Sequence, residues 1–301
     1  MALIESVGDP TMTVGLSFAA IYAKLQSGEW SDVLRWSQRV IDLADGDPSK
    51  GNFIFGSPLA LAFTRRGIAR WCLGRPGWRD DLGHGLAMAR SADPMWSYAR
   101  AATYVYGMGI PAGVLRPDDH AMREIGDALV KAEQSGDDLA VTNTRMALGL
   151  VLVHRPTAAE RDRGQKLLAE VSDVFLHRGH NLCDLPMVNV YSARERARRG
   201  EFHDAIPLMR AAIDHLFRQG ELLLGWGIPA TGVLVETLLD RGTEGYVAEA
   251  EAAIERLASA PADEGLVMRE IWLLRMRALL ARAHGDDTAY RDDRDLSLIH
   301  I

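Results

Sequence analysis

The chain has 301 residues, 48% hydrophobic and 25% charged, a composition that excludes an intrinsically disordered protein. Its formal net charge of -7 argues against direct binding to nucleic acids or to anionic membranes, since both need a basic face. The two cysteines, Cys72 and Cys183, lie far apart and fit reduced thiols better than a disulfide framework, so we expect a cytoplasmic protein.

Apolar residues recur along the chain with the helical spacing, and turn residues separate the helical stretches. In chain order, helices are predicted at residues 14–26, 31–44, 59–73, 79–91, 95–106, 118–134, 139–154, 158–176, 193–199, 202–220, 222–239, 243–258 and 264–283. Because β-branched residues do not form alternating runs, the sequence predicts an all-α fold.

The stretch 193–220 shows the repeating unit most clearly. A basic helical run ends at Arg199-Gly200, where glycine can take the left-handed conformation that stops a helix. An amphipathic helix follows from Phe202. Neither helix can bury its apolar stripe alone, so we expect helical hairpins stacked on one another.

The second helix of each hairpin recurs at intervals of 48, 40, 40, 44, 43 and 42 residues. The starting positions are Trp30, Trp78, Asp118, Ala158, Phe202, Gly245 and Asp287. The turns Gly28-x-Trp30 and Gly200-x-Phe202 resemble those of tetratricopeptide (TPR) repeats. The prediction is a TPR-like α-solenoid of about six to seven helical hairpins, over residues 14–290.

The two ends of the chain depart from this pattern. Residues 1–13 are expected to form an N-terminal extension. Residues 291–301 have no helical period, so we expect an irregular tail whose last residues, 296–301, are truncated or foreign to the repeat. Within the solenoid, Pro111 and Pro229 each remove a helical hydrogen bond and should mark breaks or kinks.

Few residues suggest a catalytic or metal-binding site. His177, His180 and Cys183 form the one cluster of metal-ligand types, but histidines at a helix end and a packed cysteine explain them more simply. The acidic pairs at Asp80, Asp118, Asp137 and Asp286 fall at predicted helix starts, where carboxylates cap free N–H groups. We therefore predict no catalytic, cofactor-binding or metal-binding residue.

The glycines of two loose dinucleotide patterns follow helical rather than strand periodicity, which disfavours a nucleotide site. Two arginine clusters form the candidate interaction patch for an acidic ligand. They comprise Arg65, Arg66, Arg70, Arg194, Arg196, Arg198 and Arg199. A solvated helical face is the simpler explanation of both clusters. Tryptophans could anchor a peptide where they face the inner curve of the solenoid.

Several long phrases carry a resemblance to a known family. They are FGSPLALAFTRRGIARWCLGRPGWRDDL, HRPTAAERDRGQKLLAEVS, HRGHNLCDLP and WGIPATGVLVETLLDRG. The run from Gly51 to about Ala283 resembles the C-terminal TPR-like region of actinobacterial proteins in which a class III adenylate/guanylate cyclase and an AAA-like ATPase precede the repeats. The resemblance does not reach the metal-binding aspartates of the cyclase or the phosphate loop of the ATPase.

The resemblance implies a non-catalytic regulatory region that contacts a protein or peptide partner or covalently linked cyclase and ATPase domains. The alternative is the inducer-sensing repeat domain of an ATPase-type transcriptional activator, in which a separate domain reads DNA. A third hypothesis is an all-α metalloenzyme centred on His177, His180 and Cys183.

Overall fold

The computed structural model describes residues 8–53, 56–179, 181–218 and 224–299. These residues form helices and connecting turns, and no strand occurs among them. The helices are α1 (Pro10–Ser27), α2 (Trp30–Ala44), α3 (Pro58–Cys72), α4 (Trp78–Ala92), α5 (Ser97–Gly109), α6 (Asp119–Ser135), α7 (Asp138–Val153), α8 (Ala158–Arg178), α9 (Leu185–Arg198), α10 (Phe202–Arg218), α11 (Leu224–Arg241), α12 (Glu244–Ala258), α13 (Val267–Ala283) and α14 (Asp287–Ile299).

Consecutive helices pair into hairpins, from α1 with α2 to α13 with α14, and each hairpin packs on the next. The predicted α-solenoid is therefore confirmed. Local chemistry sets the helix ends: the Asp9 side chain accepts from the N–H of Thr11 and caps α1. Gly28 and Gly200 have φ angles of 73° and 89°, so both predicted TPR-like turns use glycine in the left-handed region.

The odd-numbered helices form an inner row and the even-numbered helices an outer row. Each inner helix contacts the next inner helix along the chain. α5 is buried along its entire length except for one partly exposed position at Arg100. By contrast, α6 buries one stripe, formed by Ala121, Ile125, Ala128 and Ala132. The inner row thus supplies most of the hydrophobic core.

The solenoid winds tightly enough to contact itself. α11, in the sixth hairpin, packs against α1 in the first, and α13, in the seventh, packs against α3 in the second. The chain therefore returns on itself after five hairpins, and the inner row is covered by its own later members. We call the contact of α13 with the second and third hairpins the seam.

Specific side chains hold the seam and also join the last hairpin to the first. The indole N–H of Trp272 donates to the carbonyl of Ala112 at 3.2 Å. The Asp263 carboxylate accepts from the backbone N–H of Ser31 at 2.7 Å, joining the start of the last hairpin to the first. The buried sulfur atoms of Cys72 and Met268 lie 4.0 Å apart. These contacts join residues about 160 to 230 positions apart in sequence.

Three expectations from the sequence need correction. Residues 291–299 belong to α14 and are not an irregular tail. α11 continues through Pro229, which lies near its N-terminus, whereas α5 does end before Pro111 as predicted. The carboxylates of Asp118, Asp137 and Asp286 cap helices, but that of Asp81, in the remaining acidic pair, binds arginines instead.

The close approach of α11 to α13 depends on glycine. A methyl group at Gly232 would overlap the six-membered ring of Trp272, whose position is fixed by its bond to Ala112. Gly227 lies in the same helix, and a methyl group there would meet nothing within 4 Å.

We predict that Gly232→Ala lowers the free energy of unfolding by about 1–3 kcal/mol, because the overlap outweighs the gain in helix propensity. Gly227→Ala is the matched control and should be neutral or stabilising. Urea unfolding of both variants measures the effect. Equal stability of the two variants would contradict the packing of α11 on Trp272.

Candidate functional site

A surface groove of about 250 Å³ lies at the seam, between the turn that joins α3 to α4, the loop after α5, and α13. We call it the seam groove. The residues that line it are Trp71, Gly74, Arg75, Pro76, Trp78, Arg79, Ala112, Gly113, Val114, Met268, Ile271, Trp272 and Arg275. Because these residues come from three hairpins, the groove exists only when the solenoid is closed.

Tryptophans form the apolar part of the groove. Trp71 and Trp78 meet edge to face with their ring centroids 6.2 Å apart. Trp272 contributes from the opposite side, and its ring is held by the bond to Ala112.

Arginines form the charged part. Arg75, Arg79 and Arg275 line the groove, and no acidic side chain is present among its described lining residues. The guanidinium carbon of Arg79 lies 4.1 Å from the ring centroid of Trp78, a cation–π distance. Burial lowers the pKa of Arg275, although the Glu236 carboxylate opposes this effect. A chain with a net charge of -7 therefore concentrates positive charge here.

The arginines of the candidate interaction patch have different roles in the structure. Arg66 and Arg70 share the carboxylate of Asp81, with Nη–Oδ distances of 2.5 and 2.8 Å. These bonds tie α3 to α4. Arg65 is on the same helix but only 1% exposed, so it is not available to a ligand at the surface.

The second arginine cluster also serves mainly to join neighbouring hairpins. Arg194 donates to the carbonyl of Val153 at 2.8 Å and to the His154 ring. Arg198 binds Glu195 within α9 at 2.8 Å and donates to the carbonyl of Val153 in the fourth hairpin at 3.4 Å, and Arg199 binds Asp162 of the fourth hairpin at 2.5 Å.

Arg196 is exposed at the C-terminal end of α9. The structure therefore brings neither arginine cluster into the seam groove.

The structure does not bring the described candidates, His177 and Cys183, into a metal-binding site. The exposed ring of His177 pairs with the carbonyl of Asp173 at 2.7 Å. Burial raises the pKa of the Cys183 thiol to about 12, so it is not a thiolate at neutral pH. His180 lies outside the described residues. Among the residues that are described, no group of three His, Cys, Asp or Glu side chains could hold a metal ion.

The seam groove is not predicted by the sequence. Tryptophans that face the inner curve were expected as peptide anchors, and the three that converge in the groove lie at positions 71, 78 and 272. Arg75, Arg79 and Arg275 had no distinguishing pattern in the sequence. The one signal was the pair Trp78-Arg79 at a hairpin turn, which predicts stacking but not a groove.

Comparison with known proteins supplies no further assignment: no protein-family model and no curated protein matches the sequence. None of the helices in the described ranges is both long enough and apolar enough to cross a bilayer.

A buried carboxyl group lies at the start of α9. Asp184 is 3% exposed and accepts a hydrogen bond from the Trp226 indole N–H at 3.0 Å, which links the fifth and sixth hairpins. Burial raises the pKa of Asp184 to about 6, and the Trp226 bond opposes the shift. Because the folded-state pKa is above the ordinary aspartate value of 3.8, the free energy of unfolding falls as pH rises through the window from about 4 to 6.

We predict that Asp184→Asn stabilises the protein above pH 7 by up to about 3 kcal/mol, since asparagine retains the acceptor for Trp226 but carries no charge. The gain over the parent protein should disappear below about pH 4, where Asp184 is protonated in both states. Thermal unfolding between pH 4 and 8 tests this. The exposed Asp292→Asn serves as control, and a gain independent of pH would contradict the assignment.

Proposed function

We propose that this chain is a non-catalytic regulatory domain that binds an acidic segment of a protein partner in the seam groove. The supporting observation is the composition of the groove, with three tryptophans and three arginines and no acid among its described lining residues. Tryptophan and arginine are the side chains that most often dominate protein-binding energy. Arginine also matches a carboxylate through two parallel hydrogen bonds.

The partner favoured by this chemistry carries carboxylates next to an apolar or aromatic side chain. The apolar group would lie between Trp78 and Trp272, while the carboxylates would face Arg79 and Arg275. The exposed Arg75 adds charge at the rim, where it increases the association rate more than the affinity.

The resemblance to cyclase–ATPase regulators supports placing the partner segment in covalently linked or associated cyclase and ATPase domains, within cAMP signalling in the cytoplasm. Under this proposal the chain contains no catalytic centre and contacts neither nucleic acid nor a membrane. The alternative, an inducer-sensing domain of an ATPase-type transcriptional activator, requires a small molecule in place of a protein segment.

We predict that a peptide array of acidic sequences, each with a central tryptophan or leucine, binds the purified chain better than a basic array with the same apolar residues. The combined variant Arg75→Gln, Arg79→Gln and Arg275→Gln should weaken binding at least about tenfold, because a hydrogen bond to a charged group contributes about 1.5–3 kcal/mol net. Fluorescence anisotropy of the best peptides measures the change.

The exposed Arg196→Gln is the matched control, because it removes the same charge outside the groove. Equal binding of acidic and basic peptides, or equal loss in the control, would contradict the proposal. Binding of a small metabolite with no peptide binding would favour the inducer-sensing alternative. Formation of cyclic AMP from ATP and magnesium or manganese by the purified chain would contradict the non-catalytic assignment.

A further inference from the structure

The three arginines of the seam groove are not bonded to an acid within the fold. Arg75, Arg79 and Arg275 line the groove, and none of their guanidinium groups donates a hydrogen bond or forms an ion pair in the described structure. The Glu236 carboxylate acts on Arg275 only through its electrostatic field and does not line the groove.

The arginines just outside the groove are paired. Arg66 and Arg70, on α3, bind the Asp81 carboxylate at 2.5 and 2.8 Å. The groove itself therefore concentrates unpaired positive charge, and like charges that share one site repel one another unless an anion lies between them.

The N-terminus of α4 adds to this positive charge. Trp78 and Arg79, its first two residues, line the groove, and Gly77 before them has no side chain to cap the helix. The N–H of Asp81 donates to the carbonyl of Gly77 at 3.2 Å, whereas the preceding N–H groups of the first turn have no intrahelical partner. The helix dipole favours an anion there. The Asp80 side chain belongs to the same turn but does not line the groove.

The number of cations favours a multiply charged anion. A carboxylate carries one charge and matches one guanidinium group through two parallel bonds. A phosphate monoester carries a charge of about −1.5 to −2 at pH 7 and has three strong acceptor oxygens. Three arginines beside a helix N-terminus therefore match a phosphate better than a carboxylate.

The tryptophans and the size of the groove limit the group that carries the phosphate. Trp78 and Trp272 offer ring surface beside the arginines, which suits an aromatic ring better than the short side chain of phosphoserine. The volume of about 250 Å³ is below the range of about 300–1,000 Å³ that is typical of sites for whole small molecules. One aromatic side chain of a partner therefore fits better than a nucleotide.

We propose that the seam groove binds a phosphotyrosine side chain of the partner segment. The phosphate lies among Arg75, Arg79 and Arg275, and the tyrosine ring lies against Trp78 and Trp272. Phosphorylation of the partner then switches the interaction on. This inference rests on the proposed function, because it names the side chain that the groove selects within the acidic segment.

The test compares the affinities of the complete chain for acidic peptides that differ at one position, which is tyrosine, phosphotyrosine or phosphoserine. In fluorescence anisotropy at constant ionic strength, we expect the phosphotyrosine peptide to bind at least about tenfold more tightly than the other two. It should also bind more tightly than a tyrosine peptide with two added glutamates, which has the same charge.

The outcomes separate this inference from the proposed function. If the acidic tyrosine and phosphotyrosine peptides bind equally well, the phosphotyrosine site is wrong and the proposed function stands. If no peptide binds, both are wrong. Equal binding of the phosphoserine peptide, or of the peptide with added glutamates, would show that the ring or the phosphate is not recognised and would also overturn this inference.

Variants and small competitors give an independent result. Arg79 is exposed, so Arg79→Gln should fold and should reduce the advantage of phosphotyrosine over tyrosine at least about threefold. The matched control Arg196→Gln should retain the full advantage, and an equal advantage in both variants would contradict the site. Phenyl phosphate should displace the phosphotyrosine peptide more effectively than AMP does. Stronger displacement by AMP would assign the groove to nucleotides and overturn the inference.

Discussion

The return of the solenoid onto itself is the constraint on which the rest of the structure depends. The inner helices carry apolar residues around most of their circumference, so stacking on two neighbours does not bury them fully. Packing α11 on α1 and α13 on α3 covers the remaining apolar surface. Apolar burial thus explains both the tight winding and the residues at the seam.

Closure also creates the seam groove. At the surface, the seam brings Trp272 and Arg275 to the start of α4, where Trp78 and Arg79 lie. In the interior, Arg65 of α3 is buried and stacks on the ring of Tyr104 of α5, and its guanidinium group has no hydrogen-bond partner among the described residues. An open solenoid of the same helices would hydrate the inner row and would have no groove. The proposed partner binding therefore requires the closed form, and a bound partner would stabilise that form by mass action.

Local rules predicted the helices well because helix ends depend on nearby residues. Gly28, Gly200 and the capping carboxylate of Asp118 are each recognisable within four or five positions of sequence. The winding of the solenoid is different, because small angles between successive hairpins add up along the chain. Those angles depend on packing details such as the absence of a side chain at Gly232, which no periodicity reveals.

The same distinction between local rules and tertiary packing explains which arginines could be placed from the sequence. A run of basic residues predicts exposure, and Arg196 follows that rule. Arg65 does not follow it, because this side of α3 packs against the neighbouring inner helix α5. The seam groove could not be predicted from the sequence, since its residues come from hairpins two, three and seven, and the seventh joins the other two only through closure. Composition had indicated a binding scaffold, but the position of its binding surface depends on tertiary packing.

Closure of the seam is most directly measured as the distance between α4 and α13 in solution. Spin labels at the exposed positions Asp80 and Arg277, in a background with Cys72 and Cys183 changed to alanine, report it by double electron–electron resonance. The closed solenoid predicts one narrow distribution at short distance. A broad distribution at long distance would show that the seventh hairpin does not rest on the second, and would contradict the account.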